Sequence, residues 1–252
     1  SDCLVGSEMC IRDRGNPVLT SDAFNLTSDS SDVMTINGTV TKTFLSLCLV
    51  VISGYYSWIN ISITNVLILP AIFVALILGG VTIYKKHLSP ITVPIYAVIQ
   101  GIFLGAISYT FNSLYDGIVI TAISYTLSIL FVMLTLYRTG IIKPTENFKL
   151  GVAAGTGGIA LIYLANFVMS FFGTGLSIMD INNASMYSIG FSLLVIVMAS
   201  LNLVVDFDFI EEGSEKRAPK YMEWYGAFGL LVTLIWLYLE ILRLLAKMNS
   251  RK

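Results

Sequence analysis

The chain has 252 residues, of which 56% are hydrophobic and only 12% are charged, and its formal net charge is −1. A soluble domain carries about 25% charged residues, so this composition indicates a protein whose solvent is lipid. The lack of a long basic run argues against nucleic acid as a partner, and three cysteines with one histidine offer little for zinc or redox chemistry.

The first part of the chain is polar. Residues 1–14 lack the apolar core of a signal peptide, and we expect them not to be native to the protein. Residues 15–37 are rich in Ser, Thr, Asp and Asn and have little to bury. The sequence therefore predicts a mobile tail over residues 1–38 and a membrane domain over residues 39–252.

Seven apolar stretches follow in chain order. Each is close to the length of about 20 residues that a helix needs to cross the hydrocarbon core of a bilayer. The segments between them are short and rich in turn residues, which excludes a separate soluble domain. We therefore predict an all-α integral membrane protein with seven transmembrane helices. The predicted spans are roughly Thr43–Ile59, Val66–Tyr84, Ile91–Phe111, Gly117–Tyr137, Gly151–Phe172, Ala184–Asp206 and Tyr225–Leu245.

Basic residues are distributed unevenly between the two sides of these spans. With the N-terminus in the cytoplasm, nine lysines and arginines lie on that side, and the opposite loops carry only Asp116 and Asp180. Since basic residues favour the cytoplasmic side, we predict a cytoplasmic N-terminus. The basic residues of the last segment disagree with seven crossings, so this segment either crosses despite them or enters and returns. They are Arg243, Lys247, Arg251 and Lys252.

Glycines predict close helix packing in two spans. Four glycines lie within residues 151–158 at the start of the fifth span, and Gly101 and Gly105 have small-xxx-small spacing in the third. A phosphate-binding loop would need the G-x-x-x-x-G-K-[ST] pattern after a strand, and the sequence does not contain it.

Two carboxylates within the apolar stretches are functional candidates, because an ionisable group at membrane depth is costly. Glu240 lies well inside the last span, and Asp206 ends the sixth. Asn202 lies four residues before Asp206 on the same helix face, so it is a candidate for secondary polar lining, as is Asp208.

Structural roles compete with function at both positions. A structural explanation of Asp206 is nearly as good as a functional one. In it, Asp206 is the innermost member of a solvated acidic cluster that includes residues 208–212. Arg243 follows Glu240 by three residues, so the two could form a structural ion pair. We favour a functional role for Glu240 because of its depth in the span.

Two motifs resemble the Bax inhibitor-1 (transmembrane Bax inhibitor motif) family, in its bacterial branch. Asp206-Phe-Asp-Phe-Ile-Glu-Glu is similar to the aspartate-led motif that ends the sixth helix of the family, and Leu237-Tyr-Leu-Glu240 to the Leu-aromatic-Leu-Asp motif of the seventh. Asn16-Pro17-Val18 and the segment from Met34 to Phe44 also look like the bacterial branch.

The resemblance implies a fold in which the seventh helix is central and the other six wrap it. It also implies a pH-sensitive calcium leak in the cell inner (plasma) membrane, with Ca²⁺ as the permeant ion and H⁺ as the regulator. Asp206 and Glu240 would be the proton sensor and gate and would bind Ca²⁺ transiently. Lys85 or Lys86, at the end of the second helix, would be the latch of the closed state.

The sequence departs from the family pattern in two ways. The second carboxylate is Glu rather than Asp, and the connection between the two carboxylates is long. At about 1.5 Å per residue, Asp206 lies about 10 Å from Glu212, whereas Glu240 lies about 24 Å from Trp224. Two straight helices would leave the carboxylates at different heights, so contact requires an early start of the seventh helix, a tilt or a folded connection.

The sequence leaves functions other than the leak open. Two carboxylates sharing a low-dielectric site would titrate as a unit, and this suits a proton-controlled cation gate. Intramembrane carboxylates also serve proton-coupled secondary transporters, and a non-transporting regulator of a protease or another membrane protein is a third possibility. The motifs of intramembrane aspartyl proteases and of nucleotide-binding proteins do not occur, so we expect neither an enzyme nor a bound cofactor.

Overall fold

The computed structural model describes residues 33–181 and 183–251, and this part of the chain is helical. Seven of its helices are long and apolar enough to cross a membrane, as the sequence predicts. Short 3₁₀ turns at Lys86–Leu88 and Ser177–Met179 precede two of them. The long helices are α1 (Ile36–Ile59), α2 (Ile61–Tyr84), α3 (Ser89–Leu114), α4 (Ile118–Arg138), α5 (Glu146–Phe171), α6 (Met186–Glu215) and α7 (Met222–Asn249).

Side-chain caps set the starts of three helices. The hydroxyl groups of Thr35, Thr145 and Ser185 each accept a hydrogen bond from a backbone N–H in the first turn of α1, α5 and α6. These bonds satisfy donors that have no partner within the helix. Gly117 precedes α4 with a φ of 77°, a left-handed conformation that glycine adopts without strain.

Several helices extend beyond the predicted spans. α6 continues from Asp206 to Glu215, and α7 starts at Met222 rather than Tyr225. The 30 residues of α6 correspond to about 45 Å, which exceeds the hydrocarbon thickness of about 30 Å. The polar turns at its end therefore lie beyond the apolar stretch that the sequence marks, yet they stay helical.

The predicted tail ends earlier than residue 38. The backbone N–H of Met34 donates to the carbonyl oxygen of Ala218 at 2.7 Å, and Val33 forms a β-bridge with Pro219. Met34 is only 1% exposed, and α1 starts at Ile36. Residues 33–38 are thus part of the folded domain, whereas the prediction for residues 1–32 lies outside the described residues.

Helix α7 is the most buried of the seven helices, and α5 is the least buried. α7 packs against α1, α3, α4 and α6, while α2 packs mainly against α3, and α5 against α6. The structure therefore does not show the predicted arrangement in which all six other helices wrap the seventh.

The last helix runs the full length of the bundle. Its first turn contacts Thr35 at the start of α1, and Lys247 in its last turn donates to the carbonyl oxygen of Ile178, between α5 and α6. Of the two alternatives for the last segment, the structure favours a full crossing over a return.

The glycine prediction is confirmed in one span and wrong in most of the other. A Cβ atom on Gly101 would lie 1.9 Å from Ser53 Oγ, and one on Gly105 would lie 2.2 Å from the carbonyl oxygen of Gly54. The glycines of α3 thus allow close contact with α1. In α5, only Gly155 meets a neighbour; a Cβ atom on the other three glycines of residues 151–158 would meet nothing within 4 Å among the described residues.

Candidate functional site

Asp206 lies deep in the interface between α6 and α7. Its side chain is fully buried, as is that of Leu203, one turn earlier. One turn after Asp206, the rings of Phe209 and Tyr225 lie 6.1 Å apart, and a Cβ atom on Gly226 would lie 3.1 Å from Ile210. Asp206 is thus a buried carboxylate rather than a residue at a solvated helix end.

Glu240 is 2% exposed and joins α7 to α5. Its Oε2 atom accepts hydrogen bonds from the hydroxyl group of Tyr163 at 2.7 Å and from Arg243 Nη1 at 2.8 Å. Arg243 also donates to the hydroxyl oxygen of Tyr163 at 3.3 Å and lies 5.5 Å from the centre of its ring. Glu240 Oε1 has no hydrogen-bond partner among the described residues.

The structure does not bring Asp206 and Glu240 together. Phe209 packs beside Tyr225, and Lys247 bonds to Ser188 and Ser192, so the antiparallel register of α6 and α7 is fixed at both ends. In this register Asp206 is level with the part of α7 near Leu230, about ten residues from Glu240, which corresponds to about 15 Å. The height difference inferred from the sequence is present, and the directly paired carboxylates are not.

Of the two candidate latch residues, Lys86 faces the bundle. Its ammonium nitrogen lies 5.7 Å from the centre of the Tyr225 ring on α7, which is more than one helical turn from the level of Asp206 and toward the start of α7. Lys85 is the exposed C-cap residue of α2. The structure thus places Lys86, rather than Lys85, on the side of the bundle where a latch for Asp206 would lie.

The secondary polar residues of α6 contact α5. The amide nitrogen of Asn202 donates to Thr156 Oγ1 at 2.7 Å and to the carbonyl oxygen of Met198 at 2.9 Å. Asp208 forms an ion pair with Lys149, with 2.5 Å between the charged atoms. Both residues therefore hold α5 against α6, and this accounts for them without an ion pathway.

Glu223, which the sequence analysis missed, is a third buried carboxylate. It is 1% exposed, and its Oε1 atom accepts hydrogen bonds from the backbone N–H of Thr35 at 3.0 Å and from the Thr35 hydroxyl group at 2.9 Å. Its Oε2 atom forms an ion pair with Lys42. An acidic residue in the first turn of a helix is common because of the helix dipole, so Glu223 does not stand out in the sequence.

Lys247 is a buried cation at the other end of α7. Its ammonium group is bonded to the carbonyl oxygen of Ile178 at 2.9 Å, to Ser192 Oγ at 3.0 Å and to the carbonyl oxygen of Ser188 at 3.3 Å. It is fully buried. Lys247 is one of the basic residues that conflict with the preference of basic residues for the cytoplasmic side. Its hydrogen bonds explain the conflict, because protein groups rather than water bind its ammonium group.

A cavity of about 430 Å³ lies between α1, α3, α4 and α7. Its lining is mostly aliphatic and aromatic and includes no carboxylate or basic side chain. Two of its polar groups, the hydroxyl groups of Ser108 and Tyr238, hydrogen bond to each other at 2.6 Å. Since a cation there would have no charged or free carbonyl partner, this cavity does not suit an ion pathway.

The described residues contain no group of three or more His, Cys, Asp or Glu side chains placed to hold a metal ion. Since Asp206 and Glu240 lie about 15 Å apart along the helix axis, a cation at one of them would not be shared with the other. Transient Ca²⁺ binding at these two residues stays a prediction.

The fold and the buried charges define a multi-pass membrane protein whose described residues form seven long apolar helices and bury three carboxylates. A family model described as Bax inhibitor 1 like matches residues 16–250. The chain therefore belongs to the Bax inhibitor 1 like family. The comparison with curated proteins gives no match.

Proposed function

We propose that the protein is a pH-sensitive calcium leak in which Asp206 and Glu240 act as two separate stations along the bundle. The observation that carries the proposal is the near-complete burial of both carboxylates in neighbouring membrane-spanning helices. Carboxylates at membrane depth are costly and mark ion or proton pathways in other membrane proteins. Their oxygen atoms are also the ligand type that Ca²⁺ prefers.

Protonation gives such a pathway its pH dependence. A neutral carboxyl group attracts a cation far less than a carboxylate, so calcium flux should rise as pH rises and both groups ionise. Since the two groups lie about 15 Å apart along the helix axis, each takes up its own proton. The proposal thus keeps the two residues of the predicted sensor and replaces the shared proton by two separate protonation events.

The two stations have different neighbours and therefore different roles. Lys86 lies over Tyr225 on the side of Asp206 toward the start of α7, and we propose it as the latch that favours the closed state. Glu240 holds Arg243 and Tyr163, so its protonation would weaken the link between α5 and α7. Asp206 then controls the end of the bundle at the start of α7, and Glu240 controls the spacing of α5 and α7.

We further propose that the protein lies in the inner (plasma) membrane of a bacterium with its N-terminus in the cytoplasm. The start of α1, the start of α7 and the ion pairs of Lys42 and Lys149 lie at one end of the bundle, which agrees with a cytoplasmic basic side. Single-cysteine labelling at Lys143 in intact cells tests the orientation. An impermeant thiol reagent should fail to reach this loop, and rapid labelling would reverse the assignment.

A proton-coupled secondary transporter is the second candidate, and one observation favours it. Glu240 already has a cationic partner in Arg243, so a proton would exchange with this ion pair more readily than Ca²⁺ would. A transporter of this kind would move its substrate only with a proton gradient. A leak would pass calcium down its own gradient when the proton gradient is collapsed.

Calcium flux into liposomes that contain only the purified protein tests the function. We expect flux down the calcium gradient without nucleotide, increasing with pH, and a reduced or flattened pH dependence in Asp206→Asn and Glu240→Gln. Glu212→Gln is the control, because Glu212 pairs with Lys216 at the end of α6. A protein without calcium flux at any pH, or with flux that requires a proton gradient, would contradict the leak.

A further inference from the structure

The segment before and at the start of α1 closes one end of the bundle. We call residues 33–43 the N-terminal clasp. Val33 and Met34 pair with the connection between α6 and α7, at Pro219 and Ala218. The clasp then continues as the first turns of α1 along the first turns of α7. It therefore bridges the connection and the two helices that hold the buried carboxylates.

A single side chain, Glu223, holds the clasp to α7. Both of its carboxylate oxygens bind the clasp: Oε1 accepts from the N–H and hydroxyl groups of Thr35, and Oε2 pairs with Lys42. The fit is close, because a Cβ atom on Gly38 would lie 2.1 Å from Glu223 Oε1. Hydrogen bonds to an ionised group belong to the strong class, so Glu223 is the principal polar anchor of the clasp.

The anchored clasp packs over the α6–α7 interface between Asp206 and the end of the bundle. A Cβ atom on Gly226 would lie 3.1 Å from Ile210, 3.2 Å from Thr39 and 3.6 Å from Met34. Ile210 lies one helical turn beyond Asp206 on α6. Side chains of the clasp and of α6 thus form a mainly apolar plug over Gly226, about one turn outside the buried carboxylate.

We propose that Glu223 is the positioning residue of a gate: it holds the N-terminal clasp over the α6–α7 interface and thereby excludes water from Asp206. The role of this gate in ion flow rests on the proposed function, whereas the exclusion of water is a property of the protein that does not depend on it. The basic groups that face this site are Lys42 of α1, which pairs with Glu223, and Lys220 of the α6–α7 connection, which lies within electrostatic reach of Lys42. Lys86, which precedes α3, lies over the ring of Tyr225.

The first experiment measures whether Glu223 holds the clasp. Hydrogen–deuterium exchange at residues 33–43 is compared in the full-length protein in lipid nanodiscs, with Glu223→Gln, Lys42→Met and the control Glu212→Gln. We expect exchange to accelerate at least about tenfold in the first two variants, since each removes a charge-assisted bond, and to stay unchanged in the control. Should Glu223→Gln fail to fold, Lys42→Met and Thr35→Val supply the test. Protection that survives loss of the anchor would overturn the role of Glu223.

The second experiment measures whether the clasp excludes water from Asp206. In a protein without Cys3, Cys10 and Cys48, Asp206→Cys reports the site, and Leu203→Cys reports it with Asp206 intact. We expect slow labelling by a small water-soluble thiol reagent at both positions, and labelling at least about tenfold faster when Lys42→Met or Glu223→Gln is added. Equal rates with a demonstrably loosened clasp would overturn the gate. Failure of the proposed function would instead show as absent calcium flux, while both of these results stayed as expected.

Discussion

The two ends of α7 hold buried carboxylates with partners from different parts of the chain. At the first end, the partners of Glu223 come from Thr35 and Lys42, which precede it by 188 and 181 residues. At the other end, the cationic partner of Glu240 is Arg243, three residues later on the same helix. The first end can therefore open when a separate segment departs, whereas the second keeps its ion pair as long as α7 stays helical.

This difference indicates where movement is expected. Breaking the contacts of Glu223 requires only a local displacement of residues 33–43, a segment at one end of the bundle of which five residues are exposed. At the far end, Lys247 ties α7 to the start of α6 and to Ile178 through three hydrogen bonds. We therefore regard the end with Glu223 as the mobile gate and the end with Lys247 as the fixed one.

The largest expected effect on stability is at the fixed end. Arg243→Met leaves Glu240 buried with only the hydroxyl group of Tyr163, and an uncompensated buried charge destabilises by about 3–5 kcal/mol. Chemical unfolding in detergent micelles should show this loss, and the double variant Arg243→Met/Glu240→Gln should recover much of it.

Lys42→Met should destabilise less, because Glu223 keeps two hydrogen bonds from Thr35. Equal losses of stability in Arg243→Met and Lys42→Met would contradict the proposed difference between the two ends of α7.

A smaller and local effect is expected at Lys247. Lys247→Met removes three hydrogen bonds and leaves their acceptors buried, which costs about 1–3 kcal/mol. Hydrogen exchange should increase at residues 176–192 and not at residues 33–43. Arg251→Met is the matched control, because Arg251 is exposed. Faster exchange at residues 33–43 in Lys247→Met would show that the two ends of α7 are coupled and would contradict the independence of the two ends.

The smallest effect is expected at the clasp from loss of a single neutral donor. Thr35→Val removes the hydroxyl bond to Glu223 and the N-cap of α1 while the backbone N–H bond stays, so a loss of about 1 kcal/mol is expected. Thr41→Val is the control, since its hydroxyl group bonds only to the backbone of its own helix. Proteolysis near residue 33 should be faster in Thr35→Val alone. Identical cleavage of the two variants would argue that the clasp is held by its apolar contacts.

The sequence was sufficient for the helices and for two of the buried charges. The length of an apolar stretch is a local property, so seven spans are readable without any tertiary contact. Asp206 and Glu240 stand out because each is a rare charge within or at the end of such a stretch. The structure has both the helices at these apolar stretches and the two carboxylates in buried positions.

Other features depended on contacts that lie far apart in the chain. Glu223 and Lys247 lie near the ends of their span, where solvated charges are ordinary, and only tertiary packing buries them. The glycines of α5 predicted a helix partner, but most of their face meets none among the described residues. Whether Asp206 and Glu240 meet was left open by the sequence, because the register of α6 against α7 is set by packing at both ends rather than by the motifs themselves.

Whether Asp206 and Glu240 act separately is the central claim, and the pH dependence of calcium flux in the double variant tests it most directly. Groups that lie about 15 Å apart should contribute additively. We expect the effects of Asp206→Asn and Glu240→Gln on the pH profile in liposomes to sum in Asp206→Asn/Glu240→Gln, with Glu212→Gln unchanged. A double variant no different from the stronger single variant would show that the two carboxylates share one proton, and would contradict the separate stations described here.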